Sequence, residues 1–175
     1  MQHKDKQMET QRLILRALCP EDLPDFCEMV SSSAVVRYQP YGPMTPEEAA
    51  RELDACIISN EFTAVALKET GKVIGNIYLG RRDFGAMEFG FLFNETYWGK
   101  GYAAESCEAV IGEALHCGVS RICAQCDPDN AASWRLLEKL GFVREGHLRR
   151  NVYFRCDEKG LPLWKDTFIY ALLNQ

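Results

Sequence analysis

The sequence predicts a mixed α/β fold: one mixed sheet with helices packed against it. Alternating or fully apolar runs near 10–18, 62–80, 86–93, 120–126 and the C-terminus read as strands. Helical stripes separate several of them, most clearly over 101–117. The strands at 86–93 and 120–126 bracket that helix, so a central βαβ unit organises the sheet.

TQRLILRAL (10–18) alternates as a first strand. Pro20-Glu21-Asp22 opens a helix running to about Val30. Before the second helix, Thr45 is placed to cap, Pro46 suits the first helical position, and Glu48 completes a capping box. Ala50, Leu53 and Ile57 then share one face. FTAVALKETGKVIGNIYLG reads as a hairpin turning at Glu69-Thr70-Gly71-Lys72. AMEFGFLF (86–93) is apolar on both faces, as a central strand is. In the helix 101–117, Ala103, Cys107, Val110, Ile111 and Ala114 form the apolar stripe. A buried strand follows at 120–126. Asp129 or Asn130 caps the next helix, and Gly141 stops it. FVREGHLRRNVYFRC and TFIYALLN close the chain as two strands.

The 175 residues are 47% hydrophobic and 26% charged, enough for one domain (1–175) with a real core. They hold no repeat and no low-complexity linker. A net charge of -5 does not suit a general nucleic-acid binder, which carries a basic surface. MQHKDKQMETQR has no apolar signal region, and no apolar run approaches the roughly 20 residues of a membrane span. The expectation is a cytoplasmic protein with no membrane partner, whose eight cysteines are reduced. Cys123 and Cys126, with His116 and Cys117 nearby, form an incomplete zinc pattern. Their odd offset on a strand puts them on opposite faces, which favours buried thiols and no metal.

The stretch YWGKGYAAES (97–106) admits three readings. Gly99-Lys100-Gly101-Tyr102-Ala103-Ala104 matches GxGxxA, with Asp127 where a ribose-binding acid would sit. Against a dinucleotide site, Asn94 to Trp98 separate the strand from the first glycine, and too little chain remains for further βαβ units. A P-loop fails because no Ser or Thr follows Lys100. The second reading is a tight loop whose glycines merely allow helix-on-sheet packing. The third is a diphosphate held at a helix start, with a pantetheine arm along the strand.

MEFGFLFNETYWGKGYAAE, DPDNAASWRLLEKLGFVREG and the ending LWKDTFIYALL resemble, in order and spacing, the GNAT acyl-CoA N-acyltransferases. Within them the chain is most similar to the RimJ/RimL-type N-terminal amine acetyltransferases. The resemblance implies a GNAT fold with splayed central strands, acetyl-CoA as co-substrate, and no metal. It implies that Trp98, Gly99, Lys100, Gly101, Tyr102, Ala103 and Ala104 wrap the diphosphate, with a solvated side chain the other reading of Lys100 and core packing that of Tyr102. Phe91, Leu92 and Phe93 would offer main-chain groups to the pantetheine amides, with 120–126 the neighbour that splays away. Asn130 would bond the pantetheine arm, or serve only as a cap. Many family members carry a tyrosine acid at the place of Leu137, which cannot donate a proton. The RimJ/RimL-like variant instead has a serine one helical turn after the asparagine, matched by Ser133, whose other reading is a backbone bond in the first helical turn. Glu88 is the candidate base, or else the ion-pair partner of Arg81 or Arg82. Glu105 complements the helix dipole, and Asp166 orders the site. No cysteine matches a nucleophile position, so transfer is direct, with a main-chain N–H near Phe91 meeting the oxyanion.

The implied acceptor is a primary amine: a protein N-terminus, or a small molecule such as an amino acid, polyamine or drug. A CoA-binding sensor without turnover is the non-enzymatic alternative. The loop VVRYQPYGPM would set acceptor choice, with Tyr38 and Tyr41 lining a cleft or plugging the core edge, together with the hairpin end Arg155-Cys156-Asp157. Exposed C-terminal edge strands could pair two chains as a homodimer.

Overall fold

The computed structural model describes residues 7–174. Its strands, in chain order, are β1 (Met8–Glu9), β2 (Leu13–Ala17), β3 (Phe62–Leu67), β4 (Val73–Arg81), β5 (Met87–Phe93), β6 (Arg121–Cys126), β7 (Val143–Cys156) and β8 (Pro162–Leu173). They form one sheet in the order β1-β2-β3-β4-β5-β6-β8-β7. The helices are α1 (Leu23–Val30), α2 (Pro46–Ser59), α3 (Tyr102–His116) and α4 (Ala131–Lys139). β5 and β6 run parallel; the other neighbours in the sheet are antiparallel. Among the described residues no helix is long and apolar enough to cross a membrane.

Two apolar layers flank the sheet. On one face Cys107, Val110, Ile111 and Ala114 of α3 and Leu137 of α4 pack on Leu15, Ile77, Phe89, Ile122 and Tyr170. On the other, Phe26, Met29 and Val30 of α1 meet Ala49, Leu53 and Cys56 of α2 over Ala64 and Val73. Burial of these side chains is the main stabilising term, about 1.5–3 kcal/mol for each large one.

Local chemistry sets most boundaries as expected. Thr45 Oγ1 accepts from Glu48 N–H, and Glu48 returns a carboxylate oxygen to Thr45 N–H at 2.8 Å, with Pro46 at the helix start. The turn between β3 and β4 falls at 68–72. Three expectations are corrected. The first strand is interrupted, so Thr10–Arg12 form a corner between β1 and β2. On α2 the buried set is Ala49, Leu53 and Cys56, while Ala50 and Ile57 are half-buried. Both sets satisfy the helical period through Leu53, and packing against α1 selects one of them. On α3, Ala103 is half-buried and Ala104 and Ser106 are buried instead; the Ser106 hydroxyl satisfies itself on the Tyr102 carbonyl at 2.8 Å.

The feature that positions the site is a break in the sheet. β5 and β6 pair only through Met87↔Ile122, Glu88↔Cys123 and Phe89↔Ala124. Beyond them β5 stays paired with β4 as far as Phe93, and β6 stays paired with β8 as far as Cys126. Each strand is held by its outer neighbour while the inner pairing ends, so a gap opens after Phe89 and Ala124.

Candidate active site

Strand geometry decides which groups line the gap. Main-chain groups of successive residues in a strand point to opposite neighbours. Asn94 N–H donates to Ile74 O at 2.9 Å, and the β4–β5 register runs unshifted from there. Even-numbered residues of β5 therefore turn their main-chain groups to β4. Phe91 and Phe93 turn theirs into the gap. Leu92, expected to offer its backbone to a pantetheine arm, is committed to the β4 ladder. The Phe93 carbonyl is also taken: the indole Nε1 of Trp98 donates to it at 2.8 Å. The edge facing β6 thus presents Phe91 N–H, Phe91 C=O and Phe93 N–H. The side chains of Phe91 and Phe93 pack in the α3-side layer.

The glycine loop lies at the end of this strand. A 3₁₀ turn (Glu95–Tyr97) leads to Trp98 and the loop 99–101. Gly99 (φ 72°) and Gly101 (φ 82°) adopt left-handed conformations open to glycine at little cost. A Cβ at Gly99 would meet no atom within 4 Å, so its backbone is open to approach. Gly101 is the N-cap of α3 with no side chain to satisfy the helix start. The helical ladder begins with Glu105 N–H to Gly101 O, and among the described residues the N–H groups of Tyr102, Ala103 and Ala104 have no backbone acceptors. These amides sit at the positive end of the helix dipole. The Lys100 ammonium lies 5.2 Å from the Tyr97 ring centroid. Tyr102 is half-buried between Tyr97, edge-on at 6.2 Å, and the Arg12 guanidinium at 4.2 Å.

On the β6 side, Asn130 caps α4: its Oδ1 accepts from Ser133 N–H at 3.2 Å. The cap uses only one end of the amide. The Ser133 hydroxyl makes no hydrogen bond among the described residues. Tyr38 reaches the same loop, donating its hydroxyl to Asp129 O at 3.1 Å. Asp127 is held by Lys165 Nζ at 2.5 Å and by Asp129 N–H at 2.9 Å, so it is not a free ribose acceptor.

Glu88 lies on β5 opposite Gly80, with its side chain about 25% exposed, and forms an ion pair with Arg82. The Tyr78 ring folds along the strand over Gly80, whose missing side chain makes the room. Burial raises the pKa of Tyr78, and the carboxylates of Glu61 and Glu88 add to the rise, so it stays a neutral phenol. Tyr41 lines an open cleft of about 370 Å³ with Gly42, Met44, Glu48, Arg51 and Glu52. Burial beside Glu52 pushes its pKa up to about 12. No strand residue lines this cleft, and the start of α2 beside it is already capped by Thr45 and Glu48. Asp166 accepts from Arg150 N–H at 2.8 Å and pairs with His147 Nε2 at 2.7 Å; it pins the irregular part of the β7–β8 hairpin. Cys123 and Cys126 are half-buried rather than buried, and among the described residues no set of three His, Cys, Asp or Glu side chains gathers to hold a metal. Burial pushes Cys56 up to about 12 and Cys126 up to about 11, against thiolate chemistry.

Sequence reasoning missed Thr10 and Arg12. Glu105, read as a dipole partner, accepts from Thr10 Oγ1 (2.6 Å), Arg12 N–H (2.8 Å) and Arg12 Nε (2.7 Å). Burial alone would raise its pKa; these bonds outweigh that and hold it low. Nothing local signals the contact, because 93 residues separate Arg12 from Glu105.

A sheet that parts in its middle, beside a glycine-framed helix start with free amides, is the architecture expected of an acyl-CoA N-acyltransferase. The comparisons with known proteins agree. The model of the acetyltransferase (GNAT) domain matches residues 12–143. An uncharacterized N-acetyltransferase of Bacillus subtilis, YnaD, is 33% identical over 95% of this chain and 96% of its own. The uncharacterized N-acetyltransferase p20 of Bacillus licheniformis is 31% identical over 95% of each. Among solved structures, a GNAT-family acetyltransferase from Bacillus anthracis superposes with a TM-score of 0.86 at 29% identity, covering 97% of this chain and 99% of that one. The ribosomal-protein-S5-alanine acetyltransferase of Vibrio fischeri has a TM-score of 0.80 at 22% identity over 98% of each chain, a likeness of fold alone. The chain belongs to the GNAT acetyltransferase family. It is an acetyl-CoA-dependent N-acetyltransferase.

Proposed function

We propose that the gap between β5 and β6 is the acetyl-CoA site and that the acceptor is the α-amine of a peptide, in the RimJ/RimL manner. The observation that carries the reading is the end of β5–β6 pairing at Phe89 and Ala124, with Phe91's main-chain groups left facing the gap. An arm bearing amides would complete that edge as an added strand. The loop 99–101 and the first amides of α3 would receive the diphosphate.

Acetyl-CoA supplies an electrophilic thioester carbonyl; this chain's residues handle the protons and the charge. Glu88 takes a proton from the acceptor ammonium, directly or through water. An amine of pKa about 8–10 needs only a modest base. Phe91 N–H meets the developing oxyanion. Ser133 Oγ–H donates to the departing sulfur, with water sharing the work. No acyl-enzyme forms.

The openness of the face around Glu88 supports an extended acceptor: Arg82, its ion-pair partner, is 55% exposed. A small cationic amine would call for an enclosed acidic pocket. The test is thiol release from acetyl-CoA against peptides with varied N-termini, free amino acids and polyamines. Peptides turning over with the acetyl group on the α-amine is the expected result; turnover of a polyamine alone overturns the acceptor assignment. With the accepted amine, Glu88→Gln lowers kcat about a hundredfold at neutral pH, as loss of a general base does. An unchanged kcat removes Glu88 from the mechanism.

A further inference from the structure

We infer that Arg12 is a positioning residue for the coenzyme diphosphate, shaping from outside the loop on which it docks. The inference rests on the proposed location of the diphosphate at residues 99–104.

The glycine loop has little of its own to hold it. Two of its three residues sit at positive φ, and Gly101 brings no capping side chain to α3. The corner between β1 and β2 supplies what is missing. Arg12 Nη1 donates to the Lys100 carbonyl at 3.0 Å, and Nε donates to Glu105 at 2.7 Å. Thr10 Oγ1 and Arg12 N–H fix the other oxygen of Glu105. The guanidinium plane lies on Tyr102. Nη2 is 3.4 Å from where a Cβ on Gly101 would stand, so the guanidinium lies against the loop backbone. One side chain thus ties the residue before the N-cap to the fourth residue of the helix.

The electrostatics point the same way. Cations are disfavoured at a helix N-terminus, where the dipole is already positive. Here two, Arg12 and Lys100, flank the start of α3, and Glu105 is the one anion paired with Arg12 there. The Glu105 carboxylate accounts for Arg12, whereas Lys100 has no carboxylate partner among the described residues. The arrangement suits an incoming dianion, and Arg12's planar fork can hold a carbonyl and a carboxylate together, as a lysine cannot.

The experiment compares wild type, Arg12→Gln and Arg12→Lys by calorimetric Kd for CoA and for pantetheine, which lacks the diphosphate. Melting curves are taken in parallel. Loss of one charge-assisted clasp should weaken CoA about tenfold in Arg12→Gln. Pantetheine binding should be unchanged. Arg12→Lys should fall between, restoring charge without the fork. Equal CoA affinity in wild type and Arg12→Gln overturns the inference, and so does a parallel loss for pantetheine, which would mark a general structural defect. If Arg12→Gln does not fold, Arg12→Lys carries the same comparison. A crystal structure of the wild-type CoA complex separates the two failures. A diphosphate lying away from 99–104 refutes the parent reading, whereas a diphosphate on the loop with Arg12→Gln binding normally refutes only the role of Arg12.

Discussion

Replacing Ser133 with alanine isolates chemistry from stability unusually well. The α4 cap is made by the backbone N–H of Ser133 and the Oδ1 of Asn130, and both survive the substitution. The hydroxyl itself bonds nothing among the described residues. Ser133 is half-buried in the first turn of α4, where alanine has the higher helix propensity. Stability should therefore change by less than about 0.5 kcal/mol. The functional loss has a different scale. A hydrogen bond to a group that becomes charged is worth about 1.5–3 kcal/mol. At 1.4 kcal/mol per decade, that predicts a fall in kcat of roughly 10- to 100-fold. The lower end applies if water replaces the hydroxyl. The assay is thiol release at saturating acetyl-CoA and acceptor, with a melting curve on the same preparation. KM for acetyl-CoA should hold, because the interaction forms as the sulfur gains charge and not on binding. A kcat within twofold of wild type, at an unchanged melting temperature, refutes Ser133 as proton donor. A large drop in melting temperature would instead refute the division between cap and hydroxyl.

Trp98→Phe keeps most of the ring but removes the donor to Phe93 O; CoA should bind about fivefold more weakly, the equivalent of one neutral hydrogen bond, as read by calorimetry. Asp22 is buried and accepts from Arg16 at 2.7 and 2.8 Å and from Cys19 N–H at 2.9 Å. Burial opposes its ionisation, yet these bonds prevail and its folded pKa lies below the ordinary value. Its stabilisation is therefore complete above about pH 4 and lost as pH falls through the lower folded pKa. Asp22→Asn should cost about 2 kcal/mol at pH 7 in urea unfolding, and the gap from wild type should close on acidification. Gly75→Ala would set a Cβ 2.3 Å from Phe93 Cδ1 and 2.8 Å from Leu92 O, so β4 and β5 must shift. A loss of about 1–3 kcal/mol is expected, and an unchanged urea midpoint would show that the pair yields freely.

What could be read in the sequence is what neighbours in the chain decide. The Thr45–Glu48 box, the turn at 69–72 and the Asn130 cap each need only three or four residues, and each forms. The central place of β5 follows from its apolar run, although only Phe89 and Phe93, on one face, are fully buried. The errors share a cause. Ala49 and Ala50 differ by one step around α2, and only the position of α1 selects between them. Leu92 and Phe91 are equally apolar, but the register with β4 turns one backbone to a neighbour and the other to the gap. Arg12 reads as an ordinary polar position on an alternating strand; its partner is reached only when the sheet brings the first corner to the start of α3.

The gap itself belongs to no residue. β5 and β6 are each saturated on their outer side, by β4 and β8, over nearly their whole lengths. Their inner pairing ends three residues in. Unpaired strand edges in mid-sheet are costly, since every main-chain N–H and C=O needs a partner or water. Trp98 relieves one such group by bonding the Phe93 carbonyl. Those of Phe91 receive no side-chain hydrogen bond among the described residues. An arm with amides spaced along it meets that requirement as a strand would, and it must leave the sheet where the edge ends, beside the start of α3. On the reading proposed above, a substitution that extended the β5–β6 ladder would strengthen the sheet and weaken coenzyme binding.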